Sequence, residues 1–135
     1  FGHLLFVYNG VFWSERQLRF MKDNKKRIID LIRNQASRNR SLGLNYKTAL
    51  IEIDGWESIP FLISFYKKNP KDKDILTTLL QLLKKSDLEG FEQSKIYNTL
   101  YGADTHYDSW INFSSANEAY IIESAKTLYN KRQNQ

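Results

Sequence analysis

The run Asp104-Thr105-His106-Tyr107-Asp108 sets two carboxylates around an imidazole, side chains that can bind a divalent metal or share a proton. Residues two apart share a face on a strand but not on a helix. The other histidine, His3, stands alone in the first apolar segment, so no zinc set is completed in sequence. The run therefore predicts a polar loop with local side-chain hydrogen bonds, and a metal or catalytic role is the lesser alternative. Nucleophilic chemistry has less support, because a Gly-x-Ser-x-Gly elbow, a Gly-rich phosphate loop and a His-Glu-x-x-His pair are all missing. With no cysteine in the chain, a thiolate zinc site, a cysteine nucleophile and a disulfide framework are excluded together. The expectation is a protein that is not an enzyme, with no cofactor, no metal and no evident small-molecule substrate.

Charge offers a second kind of chemistry. Residues 1–48 hold ten Lys/Arg against three Asp/Glu, whereas residues 49–135 hold ten against twelve, so the front third carries the whole positive excess. Arg16, Arg19, Lys22, Lys25, Lys26, Arg27, Arg33, Arg38 and Arg40 could make several salt-sensitive phosphate contacts. Aromatic stacking platforms are poorly interleaved, since only Phe20 stands among these charges and a buried side is open to it. Docking onto a protein partner is thus the leading expectation, and nucleic-acid binding is the alternative. An immunity or inhibitor protein that masks a toxin's active site is one concrete form of the former. Lys and Arg also decorate helices merely to keep them solvated, the plainer reading of the same charges. The aromatics Trp56, Trp110, Tyr97, Tyr101 and Tyr107 could form an interface, but the core is the commoner place for them.

Helices must position these residues. A chain of 135 residues is long enough for one self-sufficient core, and its six Gly and two Pro leave little turn chemistry for a sandwich of short strands. Ser14 and Gln17 have capping-box spacing, Trp13 and Leu18 fit a hydrophobic staple, and Leu18, Met21, Ile28, Leu31, Ile32 and Ala36 recur at helical period. One helix over residues 14–36 is expected, with the polar run 22–27 on its outer face or marking a break, followed by an exposed loop over 37–45. On that straight helix Arg19, Lys22 and Lys26 project from one side with Arg33 two turns on, while Leu18, Met21, Ile28 and Ile32 face inward. With Arg38 and Arg40 in the loop after it, they form the expected partner-binding surface.

Residues 46–53 fit helix or strand by pattern, and context favours helix. A helix is expected from about Glu57 to Lys68 with Pro60 in its first turn, then one capped by Asp72 or Asp74 and carrying Ile75, Leu76, Leu79, Leu80, Leu82 and Leu83 at the centre of the core. Residues 86–101 suggest another, broken or restarted at Gly90. The closing helix is expected from Ser115, boxed by Glu118, to about Tyr129. Its inner face is Ala119, Ile122, Ala125 and Tyr129, flanked by Ile121 and Leu128, and residues 130–135 form a frayed polar tail.

The pieces Ile59-Pro60-Phe61-Leu62-Ile63, a polar turn Lys67 to Lys73, and Asp74-Ile75-Leu76-Thr77-Thr78-Leu79-Leu80 resemble the helix-turn-helix unit of HEAT-type repeats. In that family a Pro lies early in the first helix and an Asp opens the second. The resemblance covers about one unit, with leucines where the family's second helix has small residues, and it implies a binding scaffold and supplies no site residues. The expected fold class is all-α, a compact bundle of about five to seven helices, either ordinary or built of HEAT-like hairpins, in a single domain spanning 1–135. Its apolar N-terminal segment, residues 1–13, is interrupted by Asn9 and Gly10 and too short to span a bilayer, so no membrane partner is expected. A cytoplasmic location is the expectation, although the chain opens on Phe1 rather than Met and N-terminal trimming stays open. A calorimetric titration with a divalent metal should give no heat at Asp104, His106 and Asp108, and a saturable binding heat would make the cluster a site.

Overall fold

The computed structural model describes residues 1–4, 13–106 and 108–135; the middle of the expected apolar segment, residues 5–12, and Tyr107 lie outside them. The described residues form seven α-helices and no strand: α1 Glu15–Asp23, α2 Lys25–Asn39, α3 Leu44–Glu52, α4 Ile59–Lys68, α5 Asp74–Lys85, α6 Lys95–Tyr101 and α7 Ser115–Gln133. Among them no helix is long and apolar enough to cross a membrane.

Good helix formers dominate α5, with Asp74 in the first turn and Lys84 and Lys85 in the last, where each charge complements the helix dipole. Its Ile75, Leu76, Leu79, Leu80, Leu82 and Leu83 are all removed from solvent. A helix apolar on nearly every side must be surrounded, and α5 packs against α7, α3 and α4. Its two buried threonines are satisfied: Thr78 Oγ1 donates to the Asp74 carbonyl at 2.8 Å, and Thr77 Oγ1 accepts from Gly2 N at 2.9 Å. Residues 1–4 thus lie against α5, and Gln81 Nε2 and the Tyr101 hydroxyl both donate to the Gly2 carbonyl. Gly2 has φ +126°, and a Cβ there would run into the Leu100 side chain, so glycine is favoured where the chain passes Thr77 of α5 and Leu100 of α6.

Several local expectations shift. The 14–36 helix bends at Asn24, which closes α1 and opens α2. Helix α2 then runs to Asn39, so the expected loop shrinks to Arg40, Ser41, Leu42 and Gly43, with Leu42 buried. Residues 46–53 are helical within α3, and α4 starts at Ile59 after a 3₁₀ turn, Trp56–Ser58, with Pro60 in its first turn. Asp74 opens α5 without a side-chain cap, because Asp72, the other candidate, faces α3 instead. The α6 region is helical only after Ser94 caps it; Gly90 sits earlier with φ +87°.

Helix α7 is capped by Ser114, whose Oγ accepts from Asn117 N at 3.0 Å, rather than by Ser115 with Glu118. Glu118 Oε2 is taken by the Tyr66 hydroxyl at 2.6 Å, and at the other end Arg132 bonds Asp54 at 2.8 Å. Those two ties fix the rotation of α7, so Ile121, Ala125 and Leu128 face inward, Ile122 and Tyr129 are half-buried, and Ala119 is exposed. Helix continues through Gln133.

Lys47 of α3 is 5% exposed, and its ammonium reaches both Asp72 oxygens at 2.7 and 2.9 Å. Asp72 is far less buried than Lys47, so the two halves of the pair are unequal. Asp72→Ala, which strands a buried ammonium, should cost about 2–4 kcal/mol, whereas Lys47→Met, which leaves a part-solvated carboxylate, should cost clearly less. Urea unfolding of both single variants and the double variant measures this. Equal losses from the two singles would contradict it.

Candidate docking groove between the first helices

Two side-chain systems carry groups capable of chemistry. In the loop after α6, Asp104, His106 and Asp108 are exposed, His106 N bonds Ser109 Oγ, and Thr105 Oγ1 bonds the Gly102 carbonyl. Among the described residues no three His, Asp or Glu side chains gather as a metal site would require. Around Tyr66, burial and the adjacent Glu118 carboxylate raise the phenol well above its ordinary value, so it donates as a neutral hydroxyl. Lys73 also donates to Tyr66 Oη at 3.0 Å and lies 3.8 Å over the Phe113 ring, a tie between the start of α5 and the approach to α7.

The candidate site is built instead by the bend at Asn24. Asn24 N and Nδ2 both donate to the Phe20 carbonyl, at 3.0 and 2.8 Å, and Ile28 N donates to the Asn24 carbonyl at 2.9 Å. One residue therefore terminates one helix and starts the next at a corner. The corner resets the apolar phase: Ile29, Ile32 and Ala36, spaced i, i+3, i+7, turn inward from α2, while Met21 does so from α1. Phe20 and Leu31 are left 60% and 54% exposed. Leu31 was expected among the apolar residues recurring at helical period, but within α2 it lies about 100° around the axis from the buried Ile32 and so falls outside the buried stripe. Leu18 and Ile28, expected inside, are half-buried.

Between these helices lies an open groove of about 450 Å³, floored by Trp13, Phe20, Met21, Leu31 and Tyr46, with Arg16 and Gln17 at its lip. Its lining is otherwise apolar, and α3 closes its base through Tyr46 and Ala49. An exposed apolar concavity of this kind can seat a ligand or a partner's apolar side chains.

All the expected basic residues but Lys25, which is half-buried, are exposed, and the structure distributes them. The corner removes the straight-helix geometry that aligned Arg19, Lys22 and Lys26, leaving Arg19 and Lys22 on α1 and Lys26 and Arg33 on α2. None of these four lines the groove. Arg33 bonds Asp30 at 2.6 Å, and Lys25 turns to Glu57 at 2.9 Å beside Trp56. Arg40, left-handed with φ 54°, lines a separate hollow with Phe65, Lys68 and Lys71. Beside the groove the helical period instead puts Arg16 one turn before Phe20, Arg27 one turn before Leu31 and Arg38 two turns after Leu31, all exposed. All three stand among the basic residues named for phosphate contacts, but of them only Arg38 was expected on the partner-binding surface. The signal for the other two was the pairing of an exposed apolar residue with an Arg four positions earlier, readable once the break at Asn24 is placed.

No protein-family model matches the chain, and neither a curated protein nor a solved structure matches it.

His3 lies away from the groove, edge-on to the Tyr101 ring at 5.4 Å, and its Nε2 is buried without a partner among the described residues. Burial holds its imidazole below the ordinary value of 6.5. Lys84 acts in the same direction, and the Leu100 carbonyl and Asp108 oppose it. Below the ordinary value the unfolded chain binds this proton before the folded one does, so stability falls as pH drops from about 6.5 toward the lowered value. Replacing His3→Gln should flatten the part of the urea-midpoint profile that falls below about pH 6.5. A wild-type slope that persists unchanged in the variant would assign the effect to other groups.

Proposed function

We propose that this chain is a non-catalytic protein-interaction module that binds its partner through the α1–α2 face. The observation that carries this is the groove: two large apolar side chains of its lining, Phe20 and Leu31, are more than half exposed, with Arg16 in the lining and Arg27 and Arg38 exposed on the helix face of Leu31. Fully burying such a side chain is worth roughly 1.5–3 kcal/mol, and with about half of each still in water a partner recovers roughly half of that by covering them. The exposed cations Arg19, Lys22, Lys26 and Arg33 then act at longer range, drawing an acidic partner toward the face. A narrower form is an immunity or inhibitor protein, which covers a toxin's active site by shape and charge and needs no chemistry of its own.

Nucleic-acid binding is the second reading, and one observation favours it: Phe20, the lone aromatic among the front-third charges, is exposed and so available for stacking on a base. The two differ in what the groove contributes. A protein partner depends on Leu31 as much as on Phe20, whereas a nucleic acid depends on phosphate-binding cations and loses affinity steeply with salt.

Capture on the immobilised chain from cells that express it, with and without nuclease, separates them. A protein retained through nuclease treatment, lost with Phe20→Ala plus Leu31→Ala, and bound more slowly by Lys22→Glu plus Lys26→Glu, is the expected outcome. Both variants should fold normally, because exposed substitutions shift stability by only about ±0.5 kcal/mol. An interaction abolished by nuclease would favour the second reading. Capture unchanged by either variant would place the partner site elsewhere.

A further inference from the structure

The groove has a chemical polarity that narrows what fits it. Its floor is side-chain hydrocarbon and aromatic ring, and the polar atoms stand at the edge. Arg16 precedes Phe20 by one turn, Arg27 precedes Leu31 by one turn, and Arg38 follows Leu31 by two, while Asp23 is the acidic residue nearest Phe20 on that side of α1. All three cations are arginines, whose planar guanidinium groups pair with carboxylates through two parallel hydrogen bonds, whereas Lys22 and Lys26 lie off this edge.

We propose that the groove receives an acidic amphipathic helix of a partner protein, its apolar stripe seated on Phe20 and Leu31 and its carboxylates paired with Arg16, Arg27 and Arg38. This rests on the docking reading above and specifies the ligand.

An extended peptide laid on the same floor would press its amide N–H and C=O groups against hydrocarbon, and no strand among the described residues offers an edge to pair them. A helix arrives with its backbone hydrogen bonds already made and needs only side chains at i, i+3 or i+4, and i+7. A second copy of this chain is disfavoured by charge, since a two-fold contact sets groove against groove and places the arginines of one copy against those of the other. An anionic bilayer would also answer the charge, and the vesicle arm of the test below separates it from a helix.

The test uses the whole chain and a fluorescein-labelled designed peptide of about 18 residues, with Leu at helical i, i+3 or i+4, i+7 spacing and Glu elsewhere. Comparison probes are the same peptide with Lys for Glu, a version with two central prolines, a deoxythymidine oligonucleotide, and phosphatidylcholine vesicles containing phosphatidylserine. The acidic peptide should bind with a Kd on the order of micromolar and gain helical circular dichroism on binding. Phe20→Ser with Leu31→Ser should weaken it tenfold or more. Arg16→Glu with Arg27→Glu should do the same at low salt, with a smaller loss at about 0.5 M salt. Unchanged unfolding midpoints keep these losses attributable to the surface.

Equal binding of the Lys peptide would overturn the charge pairing, and equal binding of the proline peptide would overturn the helix. Vesicles or oligonucleotide held through Phe20 and Leu31 in preference to the acidic peptide, self-association lost in the same variants, or nuclear Overhauser contacts from residues 5–12 onto Phe20 and Leu31 would each assign the groove another occupant. If no peptide binds while the Phe20 and Leu31 variant still loses its captured protein, the helix proposal fails and the docking reading stands. If capture is unaffected as well, both fail.

Discussion

Helix α5 cannot lie at a surface. Six of its twelve residues are Ile or Leu with essentially no solvent contact, and its threonines at 77 and 78 are equally buried. Each such leucine is worth about 1.5–3 kcal/mol when covered and forfeits that when exposed. The surrounding chain therefore has to wrap it: α3, α4 and α7 do so directly, and residues 1–4 add cover through Thr77 and Gln81. Polar groups drawn in by this wrapping had to find partners. Lys47 meets Asp72, Tyr66 meets Glu118, and the Gly2 carbonyl takes both Gln81 and Tyr101.

Helices α1 and α2 stand outside that constraint, and this is why the groove exists. They touch each other and lean on the body through Met21, Ile29, Ile32 and Ala36, with Lys25 bridging to Glu57 and Trp56. The core needs only that stripe. Phe20 and Leu31 are apolar residues that it does not use, and nothing in the packing of α5 explains their type.

What could be read from the sequence divides along the same line. The α5 core, the Ser14–Gln17 capping box and the place of Pro60 depend on neighbours within a turn or two, and periodicity and capping chemistry reveal them directly. The corner at Asn24 was half visible, as a polar run that either faced out or broke the helix. A continuous helix puts Ile28 inside and aligns Arg19, Lys22 and Lys26 on one side, whereas the corner buries Ile29 instead. The cap of α7 moved by one residue because Glu118 is held by Tyr66, 52 positions away, and the Lys47–Asp72 pair spans 25. Side-chain partners at that separation leave no local pattern, so Asp72 resembled a helix cap. The basic character of the front third was plain in the sequence, but which arginines flank the groove depended on the phase of α2 after the corner.

The junction around Gly2 also has a bearing on how the chain assembles as it is made. Ile111 N bonds the Phe1 carbonyl at 3.1 Å, and Gly2 is held by residues 75 and 99 positions further on. Synthesis proceeds from the N-terminus, so these early residues leave the ribosome long before the groups that fasten them. Loop-closure entropy puts such contacts late in folding, after the local helical pairs. Helices α1 to α4 can form and begin to pack while Phe1 and Gly2 still have no place to bind, and the domain closes only when Tyr101 and Ile111 have emerged. A ribosome that pauses before that point holds a chain whose leucine-rich α5 is only partly covered, which is the stage at which a chaperone would have most to grip.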